Sequence, residues 1–155
     1  MRRTSSLAGW IALVLALFVS RALSASSAPP APTVTARCQP TLTPGRVLCE
    51  VEAEVSAGRL SWADAVVVSS PDFARPLRGR VGPSEATART PRRVRLPIAL
   101  VATGEGTGEL RLRSRVISCT DDARCAPFQR SVSASVRVGQ AGQAAPGAGG
   151  EDHAD

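Results

Sequence analysis

Cys119 and Cys125 are the residues of this 155-residue chain best suited to chemistry. Five residues separate them, and the alternating segment 109–116 predicts that the pair closes a turn at the end of a β-strand. Because this turn is polar, at least one sulfur should lie near solvent, where a thiolate can attack it. Two interpretations stay open, a redox-active pair and a plain structural disulfide, and spacing alone favours the second.

The other two cysteines, Cys38 and Cys49, flank a Thr-Pro-Gly sequence that is typical of a turn. If the turn closes a hairpin, Cys38 lies opposite Cys49 with Cα atoms about 4.5–5.5 Å apart, so we predict a structural disulfide there. Four cysteines favour two disulfides in an exported chain, although counting alone allows three connectivities. Zinc ligands are usually separated by about two to four residues, a spacing that these pairs lack. We therefore predict no metal site and no cofactor.

Other kinds of enzyme active site are disfavoured by where their candidate residues lie in the sequence. The single histidine, His153, lies in the C-terminal tail, which removes a Ser/His or Cys/His pair from the folded part. Glu50, Glu52 and Glu54 alternate along one strand, which indicates a solvated face rather than an acid/base pair. The glycines of segment 104–108 join two strands and open no helix, so they do not form a phosphate-binding loop.

The chain begins with the features of a secretory signal peptide. Two arginines precede an apolar run at residues 10–19, which is too short to cross a bilayer. We expect a signal peptide at 1–25, a flexible lead-in at 26–32, one domain at 33–138 and a disordered tail at 139–155. The predicted location is periplasmic or secreted, with no stable membrane insertion.

The central part of the chain is strand-like almost throughout. Apolar and polar residues alternate in segments 47–55 and 132–138, which is typical of half-buried strands. Pro97, inside the strand-like segment 93–101, predicts an edge or a bulge. About seven short strands separated by Pro/Gly turns favour an all-β, immunoglobulin-like β-sandwich, with Trp62 as a core filler.

The formal charge of +6 comes from arginine, since every basic residue other than the one histidine is Arg. Five arginines at alternate strand positions are expected to share one sheet face: Arg93, Arg95, Arg111, Arg113 and Arg115. A solvated face is favoured over a polyanion site, because no aromatic residues interleave with these arginines to stack bases. Export also argues against nucleic acid, so we predict no nucleic-acid partner.

Segments of the chain resemble the amino-terminal periplasmic domain of the thiol:disulfide interchange protein DsbD. The resemblance runs from Asp72-Phe73 through residues 93–98 to the Cys-x5-Cys-x-Pro sequence at 119–127. It implies an immunoglobulin-like sandwich in which Cys119 and Cys125 are the redox pair, with Cys125 forming the mixed disulfide. It further implies that Phe73, with Asp72 beside it, belongs to a cap loop that shields the sulfurs.

The resemblance also implies a partner. The chain has no counterpart of the membrane electron-transfer domain of that family, so electrons would pass to or from a thioredoxin-like periplasmic protein or a separate membrane reductant. The first hypothesis is therefore an exported thiol-disulfide exchange module. The alternative is a non-catalytic immunoglobulin-like binding or structural domain that is stabilised by two disulfides.

Overall fold

The computed structural model describes residues 28–139. The predicted signal peptide and all but the first residue of the predicted tail lie outside the described residues. Within the described range the chain forms nine β-strands and one short 3₁₀ turn, Pro83–Glu85. The strands are β1 (Thr33–Cys38), β2 (Gly45–Glu54), β3 (Arg59–Ser69), β4 (Ala74–Pro76), β5 (Arg80–Val81), β6 (Ala88–Arg89), β7 (Arg93–Ala102), β8 (Gly106–Cys119) and β9 (Cys125–Val138).

The strands form two antiparallel sheets. The first sheet has the order β1-β2-β7-β4, and β6 also pairs with β7. The second sheet has the order β5-β3-β8-β9. None of the helical segments within residues 28–139 is long and apolar enough to cross a membrane.

The core lies between the sheets because each long strand turns one of its two faces inward. In β7 the inward side chains Val94, Leu96, Ile98 and Leu100 are all buried, and β2 contributes its odd-numbered residues in the same way. Opposite them, β8 contributes its inward leucines and valine at 110, 112 and 116. Burying each such side chain stabilises the fold by about 1.5–3 kcal/mol. The predicted immunoglobulin-like β-sandwich is confirmed.

Two more strands are present than the approximate number predicted. The short strands β4, β5 and β6 contain only two or three residues each. A period of two cannot be read from so few residues, so the sequence indicated only a weak segment near residues 77–81.

Pro97 lies within a central strand, where a missing N–H would normally break a ladder. On one side β7 pairs with β2 through Pro97, which lies opposite Glu50. On the other side β4 pairs with residues 100–102 and β6 with residues 94–95, so Pro97 falls in the gap between the two short strands. Successive residues of a strand direct their backbone N–H and C=O groups to opposite sides, and this alternation points the nitrogen of Pro97 into the gap. Pro97 therefore marks an interruption on one side of β7 rather than an edge strand.

Trp62 is not the core filler that the sequence predicted. Leu60 pairs with Ser118, whereas Trp62 pairs with Ile117, so β3 contains a bulge at Ser61. One extra residue turns the side chains that follow, from Trp62 to Val67, to the other face. Trp62 therefore lies half-buried on the outer face of the second sheet.

The five alternate arginines do not share one face, so that prediction is wrong. Arg93 and Arg95 belong to β7 in the first sheet, whereas the arginines at 111, 113 and 115 belong to β8 in the second. The chain passes from one sheet to the other between β7 and β8. Alternation shows which residues of one strand share a face, but it does not show to which of the two sheets that strand belongs.

We expect Leu96→Ala to lower the free energy of unfolding by about 2–5 kcal/mol, since a fully buried side chain leaves a cavity when it is truncated. Leu77→Ala is the matched control, because that leucine is 58% exposed and should change stability by less than about 0.5 kcal/mol. Urea unfolding followed by circular dichroism gives both values. Equal losses in the two variants would contradict this location of the core.

Candidate functional site

The two cysteine pairs form the two disulfides Cys38–Cys49 and Cys119–Cys125. Each bridge joins residues that are direct partners in an antiparallel ladder, β1 with β2 and β8 with β9. The predicted bridge between Cys38 and Cys49 is therefore confirmed, although its Cα atoms lie 3.9 Å apart, closer than predicted. Both bridges add a covalent link to strand pairs that are already held by backbone hydrogen bonds.

The turn between Cys119 and Cys125 is held by its own hydrogen bonds. The Thr120 N–H donates to the Arg124 carbonyl at 2.8 Å, and the Ala123 N–H donates to the Thr120 carbonyl at 3.1 Å. Ala123 takes a left-handed conformation with φ of 64°, which a tight turn requires. The disulfide thus closes a turn that the backbone already defines.

The two ends of this bridge differ in exposure. Cys119 is 0% exposed, whereas Cys125 is exposed at the surface. An incoming thiolate would therefore reach the Cys125 sulfur first, and the leaving thiolate would form at Cys119. A charge formed at a buried position costs free energy unless a partner stabilises it.

The charged side chains of the turn bind one another. Asp122 accepts from the Thr120 hydroxyl and from Arg124, whose Nε lies 2.8 Å from the carboxylate. These two contacts, that of Thr120 first, hold the pKa of Asp122 below its usual range. Arg124 is therefore engaged with Asp122.

Two neighbouring segments pack against the buried end of the bridge. Gly58, in the turn between β2 and β3, has φ of +66°, and a Cβ at this position would clash with the Cys119 carbonyl oxygen. On the other side, the Ser118 hydroxyl donates to the Pro30 carbonyl at 2.6 Å. Together with the turn, these segments line a groove of about 440 Å³.

The segment before β1 packs against the domain, where the sequence had predicted a flexible lead-in at 26–32. Besides the Ser118 contact at Pro30, Pro32 is buried. Prolines lose little conformational freedom on packing, which favours this arrangement. Residues 26 and 27 lie outside the described range.

The structure separates Phe73 from the Cys119–Cys125 bridge. The Phe73 carbonyl accepts from the Thr103 N–H at 2.8 Å, and its ring lies against Gly106 and Gly108. Gly108 is eleven residues from Cys119 along β8, which corresponds to roughly 36 Å at the rise of a strand. Phe73, and Asp72 beside it, therefore do not cap the sulfurs in this structure, because the turn between β3 and β4 lies at the opposite end of the sandwich.

A second polar cluster, which the sequence reading missed, lies on the outer face of the second sheet. Asp64 is 0% exposed although it points outward, and it binds two arginines. Arg80 Nε lies 2.7 Å from Oδ2, while Arg115 donates Nε to Oδ1 at 3.0 Å and Nη2 to Oδ2. The Trp62 ring lies beneath both guanidinium groups, 5.9 Å from that of Arg80 and 5.5 Å from that of Arg115. The sequence feature that could have predicted this cluster is a single acidic residue inside an apolar strand, at Trp-Ala-Asp-Ala-Val.

Comparison with known proteins finds distant similarity to solved structures. No family model matches the chain, and no curated protein matches it. Among solved structures, the PapD-like domain 7 of human CEP192 is 10% identical with a TM-score of 0.43, and the match covers 80% of this chain and 97% of that one. A non-cellulosomal cohesin from the archaeon Archaeoglobus fulgidus is 10% identical with a TM-score of 0.41, over 70% of this chain and 92% of that one. The Salmonella SafD adhesin is 12% identical with a TM-score of 0.35, over 70% and 99%. We base no conclusion about function on these similarities.

We expect Gly58→Ala to lower the free energy of unfolding by more than about 1 kcal/mol, because the new Cβ meets the Cys119 carbonyl and φ is positive. The same change should make dithiothreitol reduce the adjacent bridge faster, since the turn would withdraw from Cys119. Gly79→Ala is the matched control, because nothing lies within 4 Å of its Cβ position. Similar stability and reduction rates in the two variants would show that Gly58 does not hold this end of the bridge.

Proposed function

We propose that this chain is an exported, non-catalytic immunoglobulin-like domain with a binding or structural role, and that both disulfides stabilise it. The observation that carries the proposal is that each bridge joins two direct partners of an antiparallel ladder. A bridge in this position reinforces a strand pair that backbone hydrogen bonds already hold.

The size of the domain supports a stabilising role for the bridges. A disulfide lowers the entropy of the unfolded chain and so raises the free energy of unfolding. The Cys38–Cys49 loop contributes about 2.8 kcal/mol in this way, and the Cys119–Cys125 loop contributes about 2.4 kcal/mol. A domain of this size has a total stability of only about 5–15 kcal/mol. The two bridges are thus a substantial part of what keeps the sandwich folded.

Export agrees with the same proposal. Disulfides persist mainly in oxidising compartments, which include the periplasm and the extracellular space. The predicted signal peptide supports delivery to one of these. We propose a periplasmic or secreted location on these two grounds.

A second candidate function, thiol-disulfide exchange, is favoured by one observation, the exposure of Cys125. A thiolate of a thioredoxin-like partner would attack the Cys125 sulfur, break the bond to Cys119 and release Cys119 as a thiolate. The partner's second thiolate would then displace Cys125 and leave the partner as a disulfide, so two electrons pass to this chain. This is the activity that the resemblance to the DsbD domain implies. The position of Phe73 gives it no support.

A trapping experiment separates the two functions. Cys119→Ser leaves the exposed Cys125 without its partner, and Cys125→Ser is the matched control, since it removes the same bridge but leaves only the buried cysteine. Expressed in the native host, both variants should give no mixed disulfide on a non-reducing gel. A reducible adduct formed by Cys119→Ser but not by Cys125→Ser would contradict the non-catalytic role and establish exchange at Cys125.

A further inference from the structure

The two outer faces of the sandwich differ in how their arginines are paired. On the first sheet, the arginines at 37, 93 and 95 bind the carboxylates at 50, 52 and 54, whereas Arg46 and Arg75 form no ion pair among the described residues. On the second sheet, four arginines project outward from two strands: Arg80, Arg111, Arg113 and Arg115. Among the described residues, the carboxylates that bind them are Asp64, which is buried, and Glu109, which binds Arg111. The outer face of the second sheet therefore has a net positive charge.

Strand register brings three of these arginines close together. Arg80 pairs with Val66, and Val66 pairs with Arg113, so Arg80 and Arg113 lie two strands apart in one row. Two strand spacings amount to about 10 Å, and Arg115 follows Arg113 by two residues, or about 7 Å. Arginine side chains are long enough to converge across such spacings on one ligand group.

Asp64 fixes two of the three guanidinium groups. Its carboxylate accepts hydrogen bonds from Nε and Nη2 of Arg115 and forms an ion pair with Arg80, and the Trp62 ring packs against both guanidinium groups. Within the described residues, both terminal nitrogens of Arg80 and Nη1 of Arg115 form no hydrogen bond. The two side chains remain 57% and 42% exposed, so these N–H groups can donate to a ligand. Because the buried carboxylate already orders them, binding a ligand costs less side-chain entropy.

We propose that Arg80, Arg113 and Arg115 bind the sulfate or phosphate ester groups of an acidic extracellular polysaccharide. Planar guanidinium groups donate paired hydrogen bonds to such oxyanions. The neighbouring strand β9 adds Ser131 opposite Arg113, which contributes a hydroxyl and no negative charge. This inference rests on the proposed binding role of the domain and names its ligand class.

The same face is poorly suited to single-stranded nucleic acid. Such polymers usually bind through bases that stack on open aromatic rings. Trp62 is the aromatic residue of this cluster, and its ring already packs against the guanidinium groups of Arg80 and Arg115. A polymer that is recognised through its charged groups, with no bases to stack, fits the surface better.

The first test measures binding of heparin oligosaccharides, as a sulfated probe, by titration calorimetry near physiological salt. Arg113→Gln should weaken binding about tenfold, as expected for a charge-assisted contact. Arg46→Gln is the matched control, because it removes the same charge from an exposed arginine on the other sheet, and it should change affinity less than about twofold. Equal weakening by the two variants would overturn the site in favour of unspecific charge attraction.

A second variant distinguishes binding by ordered arginines from attraction by the net charge of the domain. Asp64→Asn removes a negative charge, so attraction by net charge alone predicts tighter heparin binding. The proposal predicts weaker binding, because Arg80 and Arg115 lose the carboxylate that orders them. Circular dichroism first establishes that the variant folds, and if it does not, the Arg113→Gln comparison still decides.

Two further ligands test which kind of molecule supplies the sulfate or phosphate group that the arginines bind. Single-stranded DNA of equal charge should bind more weakly than heparin, and inorganic sulfate should compete only at millimolar concentrations. Tighter binding to DNA, or no heparin binding at all, would overturn the polysaccharide assignment. Neither result would bear on the non-catalytic role of the disulfides, which the trapping experiment tests separately.

Discussion

The antiparallel pairing of β8 with β9 determines which side chains of β8 enter the core, which face solvent, and where one disulfide forms. This ladder runs without a register shift from Gly106 opposite Val138 to Cys119 opposite Cys125. The same register directs the leucines at 110 and 112 into the core and the arginines at 111, 113 and 115 toward solvent. A slip of one residue would exchange these two sets and separate the cysteines. Core, basic face and bridge are therefore consequences of one pairing.

In both sheets, inward and outward residues alternate along the strands, but the outer faces of the two sheets differ. On the first sheet, acidic and basic residues meet across β2 and β7, as in Arg95 with Glu52 at 2.6 Å. This contact holds the pKa of Glu52 below its usual range, with Arg93 adding to the effect. On the second sheet, serines lie opposite Arg111 and Arg113, so these strand partners do not neutralise them. Three arginines of the first sheet are therefore paired with carboxylates of that sheet, whereas Arg113 of the second sheet forms no ion pair among the described residues.

Local patterns in the sequence were enough to predict the longer strands and the Cys38–Cys49 bridge. Alternation at 47–55 and 132–138 gave the buried faces of β2 and β9, and the turn at 43–45 placed Cys38 opposite Cys49. Errors came from non-local geometry. Trp62 was misplaced because a bulge at Ser61 reversed the phase of β3, which no period-two count reveals.

The candidate site was predicted less well than the fold. Cys119 and Cys125 were correctly paired, and the exposure of one sulfur followed from the polar turn. Phe73 was expected near them, but the end of the sandwich to which a turn belongs depends on the strand order, which the sequence alone did not give. Asp64 was missed for a similar reason, since its partners Arg80 and Arg115 come from two other strands.

We propose that the Cys119–Cys125 bridge is a static support of the β8–β9 ladder. Its reduction potential tests this most directly, measured on the folded protein in dithiothreitol buffers of graded redox potential with alkylation of the released thiols. A structural bridge should have a potential below about −300 mV. A potential above about −270 mV, in the range of thioredoxin and other carriers, would contradict the claim.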